Sequence, residues 1–307
     1  MPRDQWVSRL EWVVIIGVAL ADIILAHDTG ISFPKSLKSA EILATILAVW
    51  PLSAMLTRLT GFGIGAEVIA ENVAKFILIT LTAVTLSYFL ATNPAPLNDA
   101  LMVKIDGLLG FSWPDFFGWV LDHKAIGAAL AYLYVSLLPQ AVLVLLFVGA
   151  IYPRRPNRFI TAYLVSAAMT LFVFALFPVA GPFIYFNHLD MPGALYAEHY
   201  LQMRNHVRSA IPMDDIRGIV SFPSLHVSSA VIITYFLRGL PVLFPLAIVV
   251  NIGMSISALF VGGHYLSEVL AGLIVGLVTI GLIRWLEGGG PEPRLALRRQ
   301  SVTTLRG

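Results

Sequence analysis

The chain has 307 residues, of which 58% are hydrophobic and only 12% charged, with a formal net charge of +2 and a mean hydropathy of +0.82. Soluble domains carry about 25% charged residues, so this composition excludes an ordinary soluble globule and points to an integral membrane protein; the small net charge gives no argument for a nucleic-acid partner. The chain has no cysteine, which excludes disulfides, thiolate metal sites and a cysteine nucleophile.

The N-terminus, "MPRDQWVSRLEWVVIIGVALADIILA", has a basic start and an apolar run. The following "ILAHD" is a poor cleavage site, so the run reads as an uncleaved first helix. A spanning helix needs about 20 mostly apolar residues. That rule predicts an all-α polytopic protein of about eight transmembrane helices, near 11–27, 40–58, 73–91, 126–150, 158–178, 223–238, 241–261 and 264–286. The first of them contains Asp22, a candidate intramembrane acid or helix-contact residue.

Between these runs, residues 92–125 mix Pro, Gly, Asp and Trp, and their Trp and Phe residues suit a membrane–water interface. Residues 179–222 form a polar loop that holds His188, His199 and His206, expected to decorate its surface. The tail, 287–307, is Gly/Pro-rich and basic and is expected to be disordered.

Lys and Arg concentrate in "YPRRPNR", in the tail and, as Arg3 and Arg9, at the N-terminus. The positive-inside rule places all three on the cytoplasmic side, which agrees with an even helix count. "RRPNR" then serves as an orientation signal, and 92–125, the 179–222 loop and the "VGGH" corner face outward.

The same parity brings two histidines to one face. His226, in "SFPSLHVSSA", opens the run near 223–238; His264, in "GGHYLSEVLAG", opens the last one. Glu268 follows His264 by four residues and shares its helix face. A carboxylate there accepts the proton of one imidazole nitrogen and leaves the other free as a nucleophile or base. His226 is placed to supply an acid. Two helix N-termini side by side, with their unpaired N–H groups and positive dipole ends, would suit a phosphate. Taken singly, such a histidine reads more readily as a helix cap or a hydrogen-bonded surface residue; the combination of depth, topology and carboxylate spacing favours a site. Gly272 and Gly276 form a small-xxx-small pair suited to internal helix packing.

"FPSLH" followed by "GGHYLSEVLAG" resembles the second and third signature motifs of the type 2 phosphatidic acid phosphatase (PAP2) superfamily. The likeness is closer to the branch that includes inositol-phosphorylceramide synthases, to which "IDGLLGFSWPDFF", "YVSLLPQ" and "FPVAGP" are also similar. It covers roughly residues 95–285 and divides the chain into N-terminal helices (1–92), a catalytic membrane domain with a PAP2-like helix bundle (93–286) and the tail (287–307).

The resemblance implies an enzyme acting on a phospholipid or other lipid phosphate at the extracytoplasmic membrane face, with no metal and no cofactor. It implies His264 as the nucleophile that takes the phosphoryl group and Glu268 as the group that orients it. His226 would protonate the leaving alcohol and then activate the acceptor, and Ser224 would hold phosphate oxygens. The chain departs from the pattern in having Leu225 for a glycine, Glu268 for an aspartate and Ala258 where the third motif often has an arginine. The first motif is not intact, and the outer loop before the second motif offers Arg204, Arg208 and Arg217 as candidates for the missing guanidinium. Arg204 matches the branch best and Arg208 is the reserve. A salt bridge from Arg204 to Glu198 or to Asp214 and Asp215 is the alternative.

Water or a lipid hydroxyl would serve equally as acceptor. The competing classes are a metal-dependent membrane enzyme, an inactive member of the family, and a transporter. The last fits poorly with polar groups at helix ends and no internal repeat.

Overall fold

The structure is a computed structural model that describes residues 3–33, 65–148, 152, 155–191, 194–211 and 215–286. Among these the architecture is helical, as expected, with one isolated backbone bridge between Ser32 and Ala210. Six stretches are long and apolar enough to cross a membrane: Gln5–Thr29, Val68–Ala91, Lys124–Leu146, Arg155–Leu176, Leu243–Phe260 and Leu266–Leu286. The run predicted at 40–58 lies outside the described residues.

The first two spans are α1 (Arg3–Thr29) and α2 (Gly65–Ala91). A buried ion cluster ties them. Lys75 Nζ lies 2.7 Å from Glu11 Oε2 and 2.8 Å from Glu71 Oε1, and Thr161 donates to the other oxygen of Glu11. Charges inside a bundle persist when they are paired in this way. Asp22 is buried on α1, with Oδ1 lacking a hydrogen-bond partner.

Residues 92–125 fold as two short helices, α3 (Asp99–Leu108) and α4 (Trp113–Asp122). Ser112 caps α4 and Pro114 opens it, the usual chemistry of a helix start. The expectation that this Trp/Phe stretch anchors at an interface is corrected for Trp113 and Phe117. Both are buried, Trp113 stacks between Phe117 and Phe186, and its indole donates to Leu259 O at 2.8 Å. Aromatic stacking and a satisfied N–H hold the indole inside the protein.

The run predicted at 126–150 is broken. α5 (Lys124–Val135) ends at Ser136, α6 (Leu137–Leu143) follows, and Val144–Val148 form a π turn. Pro139 supplies the cause: its ring opposes the carbonyl of Val135, four residues back, and removes an N–H.

α7 (Arg155–Leu176) leads to the outer segment with α8 (Pro182–Tyr185) and α9 (Leu195–Arg204). α10 (Leu225–Phe236) has 12 residues, a length of about 18 Å. It is shorter than the predicted 223–238 because both ends are stopped. Ser224 caps its start, and Arg155 Nη1 donates to the carbonyls of Phe236 (2.9 Å) and Arg238 (2.7 Å) beyond its end. The "RRPNR" run is therefore more than an orientation signal: Arg155 is a buried helix cap.

α11 (Leu243–Phe260) and α12 (Leu266–Leu286) complete the bundle. α10 is its axis, packed on α7, α11 and α12. Gly272 and Gly276 make the α10–α12 contact possible. A Cβ at Gly272 would strike the carbonyl of Ser224, and one at Gly276 would lie 2.8 Å from Val231 Cβ. The pair serves internal packing. On the other face of α12, Ile274, Leu277 and Val278 are exposed, as lipid-facing residues are.

Candidate active site

The corner "VGGH" turns the chain from α11 into α12. Gly263 takes φ +57°, the left-handed region, and a Cβ there would enter the ring of Phe183. At Gly262 a Cβ would lie 2.8 Å from Ala258 O and 2.9 Å from the His264 ring. The two glycines let the corner close tightly enough to set His264 over the first turn of α12.

There His264 Nδ1 lies 2.9 Å from Glu268 Oε2, and both side chains are buried. An ionised carboxylate only accepts, so Nδ1 carries the proton and Nε2 presents its lone pair. Ser224 Oγ stands 3.3 Å from Nε2 and also accepts from Val227 N at 3.5 Å. Ser224 N donates to the Glu268 carbonyl at 3.2 Å, which locks the start of α10 to α12. His226, one residue into α10, stacks on Tyr134 with ring centroids 4.5 Å apart.

His226 and His264 line one cavity of about 610 Å³, together with Arg217, Tyr134, Tyr196 and Ser221. The structure thus brings together four of the sequence candidates, His226, His264, Glu268 and Ser224.

It does not bring Arg204 and Arg208 to that cavity. Arg204 donates from Nη1 to Asn93 O (2.8 Å) and from Nη2 to Ala95 O (2.6 Å), which holds the loop after α2. Arg208 Nε donates to Gln202 Oε1 at 2.7 Å. Among the described residues the alternative ion pairs of Arg204 do not form either: Glu198 accepts from Gln202 and Asp215 pairs with Arg217, while Asp214 lies outside the described residues.

Arg217 is the arginine on the cavity wall, and a small network fixes it. Its Nη2 pairs with Asp215, its backbone N–H donates to Tyr88 OH at 3.2 Å, and Nε is buried without a partner. His199 completes the bracket, with Nδ1 2.8 Å from Tyr88 OH and Nε2 3.6 Å from Asp215. The expectation that His199 decorates the loop surface is corrected, because it is buried. Burial, aided by the positive charge of Arg208, holds its pKa below the usual imidazole value.

The helix-end reading also changes. The first N–H groups of α12 are already used: Asp106 accepts from Leu266 N and Ser267 N, both at 2.8 Å, and Glu268 Oε2 accepts from Tyr265 N at 3.0 Å. Asp99, two turns earlier on the same face of α3, accepts from Ala180 N (3.0 Å), Gly181 N (2.9 Å) and Tyr265 OH (3.1 Å). Burial raises the Asp99 pKa, and these donors oppose the rise. Sequence reasoning missed Asp99 and Asp106. Their signal was the seven-residue spacing of two acids within "NDALMVKIDG", which puts both on one helix face.

Among the described residues no three His, Asp or Glu side chains converge as a metal site would require. Beside serine, threonine and tyrosine hydroxyls, the cavity is lined by two imidazoles, one of them nucleophile-competent, and a guanidinium, groups that phosphoryl transfer uses.

Neither the curated proteins nor the solved structures contain a match to this chain. A family model described as the PAP2 superfamily matches residues 100–282, which is more than half of the sequence and includes both histidines, Glu268 and Arg217. The chain therefore belongs to the PAP2 superfamily, whose membership points to a membrane-embedded lipid phosphatase or phosphotransferase.

Proposed function

We propose that the protein moves a phosphoryl or phospho-headgroup unit from a lipid phosphate ester through a phosphohistidine on His264. The observation that carries this reading is the pairing of His264 Nδ1 with Glu268, which leaves Nε2 as the free lone pair beside a cavity shared with His226 and Arg217.

In the first half-reaction His264 Nε2 attacks phosphorus. The N–P bond forms as the P–O bond to the lipid alcohol breaks, and His226 gives its proton to the departing oxygen. Glu268 balances the charge of the phosphorylated imidazole. Arg217 faces the equatorial oxygens, where charge concentrates. Ser224 Oγ, which sits at hydrogen-bond distance from Nε2 in the free protein, turns its hydroxyl to a phosphate oxygen. In the second half-reaction the acceptor hydroxyl gives its proton to His226 and attacks phosphorus, and the N–P bond breaks. Water as acceptor releases phosphate; a lipid hydroxyl yields an exchanged phospholipid, as the likeness to the inositol-phosphorylceramide-synthase branch suggests. The basic flanks of the sequence support an extracytoplasmic site, with both termini cytoplasmic.

The test is to incubate the purified protein in bilayers with lipid phosphates labelled at phosphorus, quench in alkaline detergent and look for label on protein. The wild type should carry acid-labile, base-stable label, and His264→Ala should carry none. Equal labelling of the two overturns the reading. Free phosphate against exchanged lipid, scored with and without alcohol acceptors, decides the acceptor. Loss of labelling in a strong chelator would favour a metal-dependent enzyme instead.

A further inference from the structure

The cavity does not stop at the histidines. Below them it follows Ser87, Val84 and Thr80 on α2 and continues along α7 from Leu171 to Phe159. Its far end is an aromatic floor: Phe76 lies 4.8 Å from Tyr163 and 6.2 Å from Phe159, ring centre to ring centre. From Leu171 to Phe159 is twelve residues, about 18 Å of helix. One leaflet of a bilayer's hydrocarbon core is about 15 Å deep.

The cavity also has a side opening. Val135 and Leu138 both line it, yet they are 64% and 61% exposed on the outer surface of the bundle. They flank Ser136, the break that Pro139 imposes between α5 and α6, and Tyr134, one residue away, is the ring stacked on His226. The opening therefore lies beside His226, within the Lys124–Leu146 stretch that is long and apolar enough to cross a membrane.

We propose that this cavity is a subsite for one hydrocarbon chain of the lipid phosphate, admitted sideways from the bilayer through the break at Ser136. Any second chain stays outside in the bilayer. This rests on the phosphohistidine reading only for the position of the phosphate; the chain subsite is tested separately. The volume supports a single chain: at about 30 Å³ for each water-sized group, 610 Å³ holds roughly 20 such groups, enough for one chain with its phosphate-bearing end and too few for two. The walls are apolar apart from scattered hydroxyls. Of these, Thr80 donates to its own helix carbonyl, Phe76 O, and meets Tyr163 OH at 3.0 Å, so that pair asks nothing of a hydrocarbon. Because a lipid tail is already in an apolar medium, moving it into the cavity gains little hydrophobic free energy. The subsite acts by orientation: it fixes the tail so that the phosphate meets Nε2 in line.

Two measurements on the full-length protein in bilayers test this. The first uses a monoacyl glycerol phosphate with a photoreactive diazirine at the chain end, bound to His264→Ala so that turnover plays no part. Label on Phe76, Phe159 or Tyr163 is expected. Label confined to lipid-facing residues such as Phe172 or Ile274 overturns the subsite. The second compares monoacyl glycerol phosphates of short and long chains in the wild type and in Ala83→Leu and Ala141→Leu, which fill the walls from α2 and α6. The long-to-short ratio of kcat/KM should fall at least tenfold in each variant that keeps the wild-type unfolding midpoint; an unchanged ratio in both overturns the proposal. Chain-end label in the cavity without phosphohistidine would leave the subsite standing and remove the catalytic reading. Phosphohistidine without chain-end label would do the reverse.

Discussion

Asp106 and Glu268 hold the same helix end from two sides. Asp106 takes the N–H groups of Leu266 and Ser267, and Glu268 takes that of Tyr265 while it also receives the His264 proton. The start of α12 is thus consumed by carboxylates, and its positive end stabilises the carboxylate that holds His264. Under the proposed mechanism, phosphate is then gripped by other groups.

Asp106→Asn should cost stability and turnover together. An amide keeps one acceptor oxygen but turns its NH₂ toward the second N–H. Losing a buried charged hydrogen bond costs about 2 kcal/mol, and the start of α12 loosens under His264. We expect a lower unfolding midpoint in detergent and a roughly tenfold fall in kcat with little change in KM. A fall in KM-dependent binding alone would show that Asp106 touches the substrate rather than the helix.

Glu268→Gln separates orientation from charge. A glutamine carbonyl still accepts from Nδ1 and from Tyr265 N, so the imidazole keeps its tautomer. What disappears is the counter-charge to the imidazolium-like phosphohistidine. We expect kcat to drop roughly 100-fold to 1000-fold, with His264 still labelled, slowly, in a single-turnover experiment. Glu268→Asp keeps the charge and should retain far more activity than Gln. Equal activity of Gln and wild type would remove the electrostatic role.

The His264–Glu268 pair was legible because four residues on one helix is a local relation, and His226 joined it through the parity of the apolar runs. The bundle among the described residues was legible from run length, except where a proline split one run at Ser136 and where Ser224 and Arg155 stop α10 at 12 residues. Asp99 and Asp106 were not legible in the same way: they act on backbone N–H groups 81 to 161 residues away, and a carboxylate that binds N–H groups needs no partner side chain to announce it. Arg204, Arg208 and Arg217 are chemically alike and close in sequence. Only the fold shows that the first is spent on Asn93 and Ala95, the second on Gln202, and that the third reaches the cavity.

That difference predicts opposite phenotypes for two arginines. Arg217→Ala should lower kcat/KM roughly 100-fold to 1000-fold, the usual effect of losing a preorganised charge donor, with little change in the unfolding midpoint. Arg204→Ala removes two charge-assisted bonds to carbonyls and should destabilise the fold by about 2 kcal/mol or more, while the molecules that remain folded turn over normally. A catalytic loss in Arg204→Ala without destabilisation would return the phosphate role to Arg204.

His199 gives the bracket around Arg217 a pH signature. Its folded pKa lies below the ordinary imidazole value, first through burial and then through Arg208. The unfolded chain takes up this proton near pH 6.5, whereas the folded protein still refuses it. Between those two values the unfolded state binds more protons, so stability falls as pH drops below about 6.5 and levels off once the lower folded value is passed. The neutral ring is the one that fits the network: it accepts from Tyr88 OH at Nδ1 and turns Nε2–H toward Asp215. Protonation puts a hydrogen on Nδ1 against the tyrosine hydroxyl, which must then give up its own donor role and reorient beneath Arg217. Unfolding midpoints measured in detergent from pH 8 to pH 5.5 should therefore fall, and the fall should be smaller in His199→Gln, which cannot titrate. If the two proteins lose stability in parallel over that range, His199 is not the group that sets the slope.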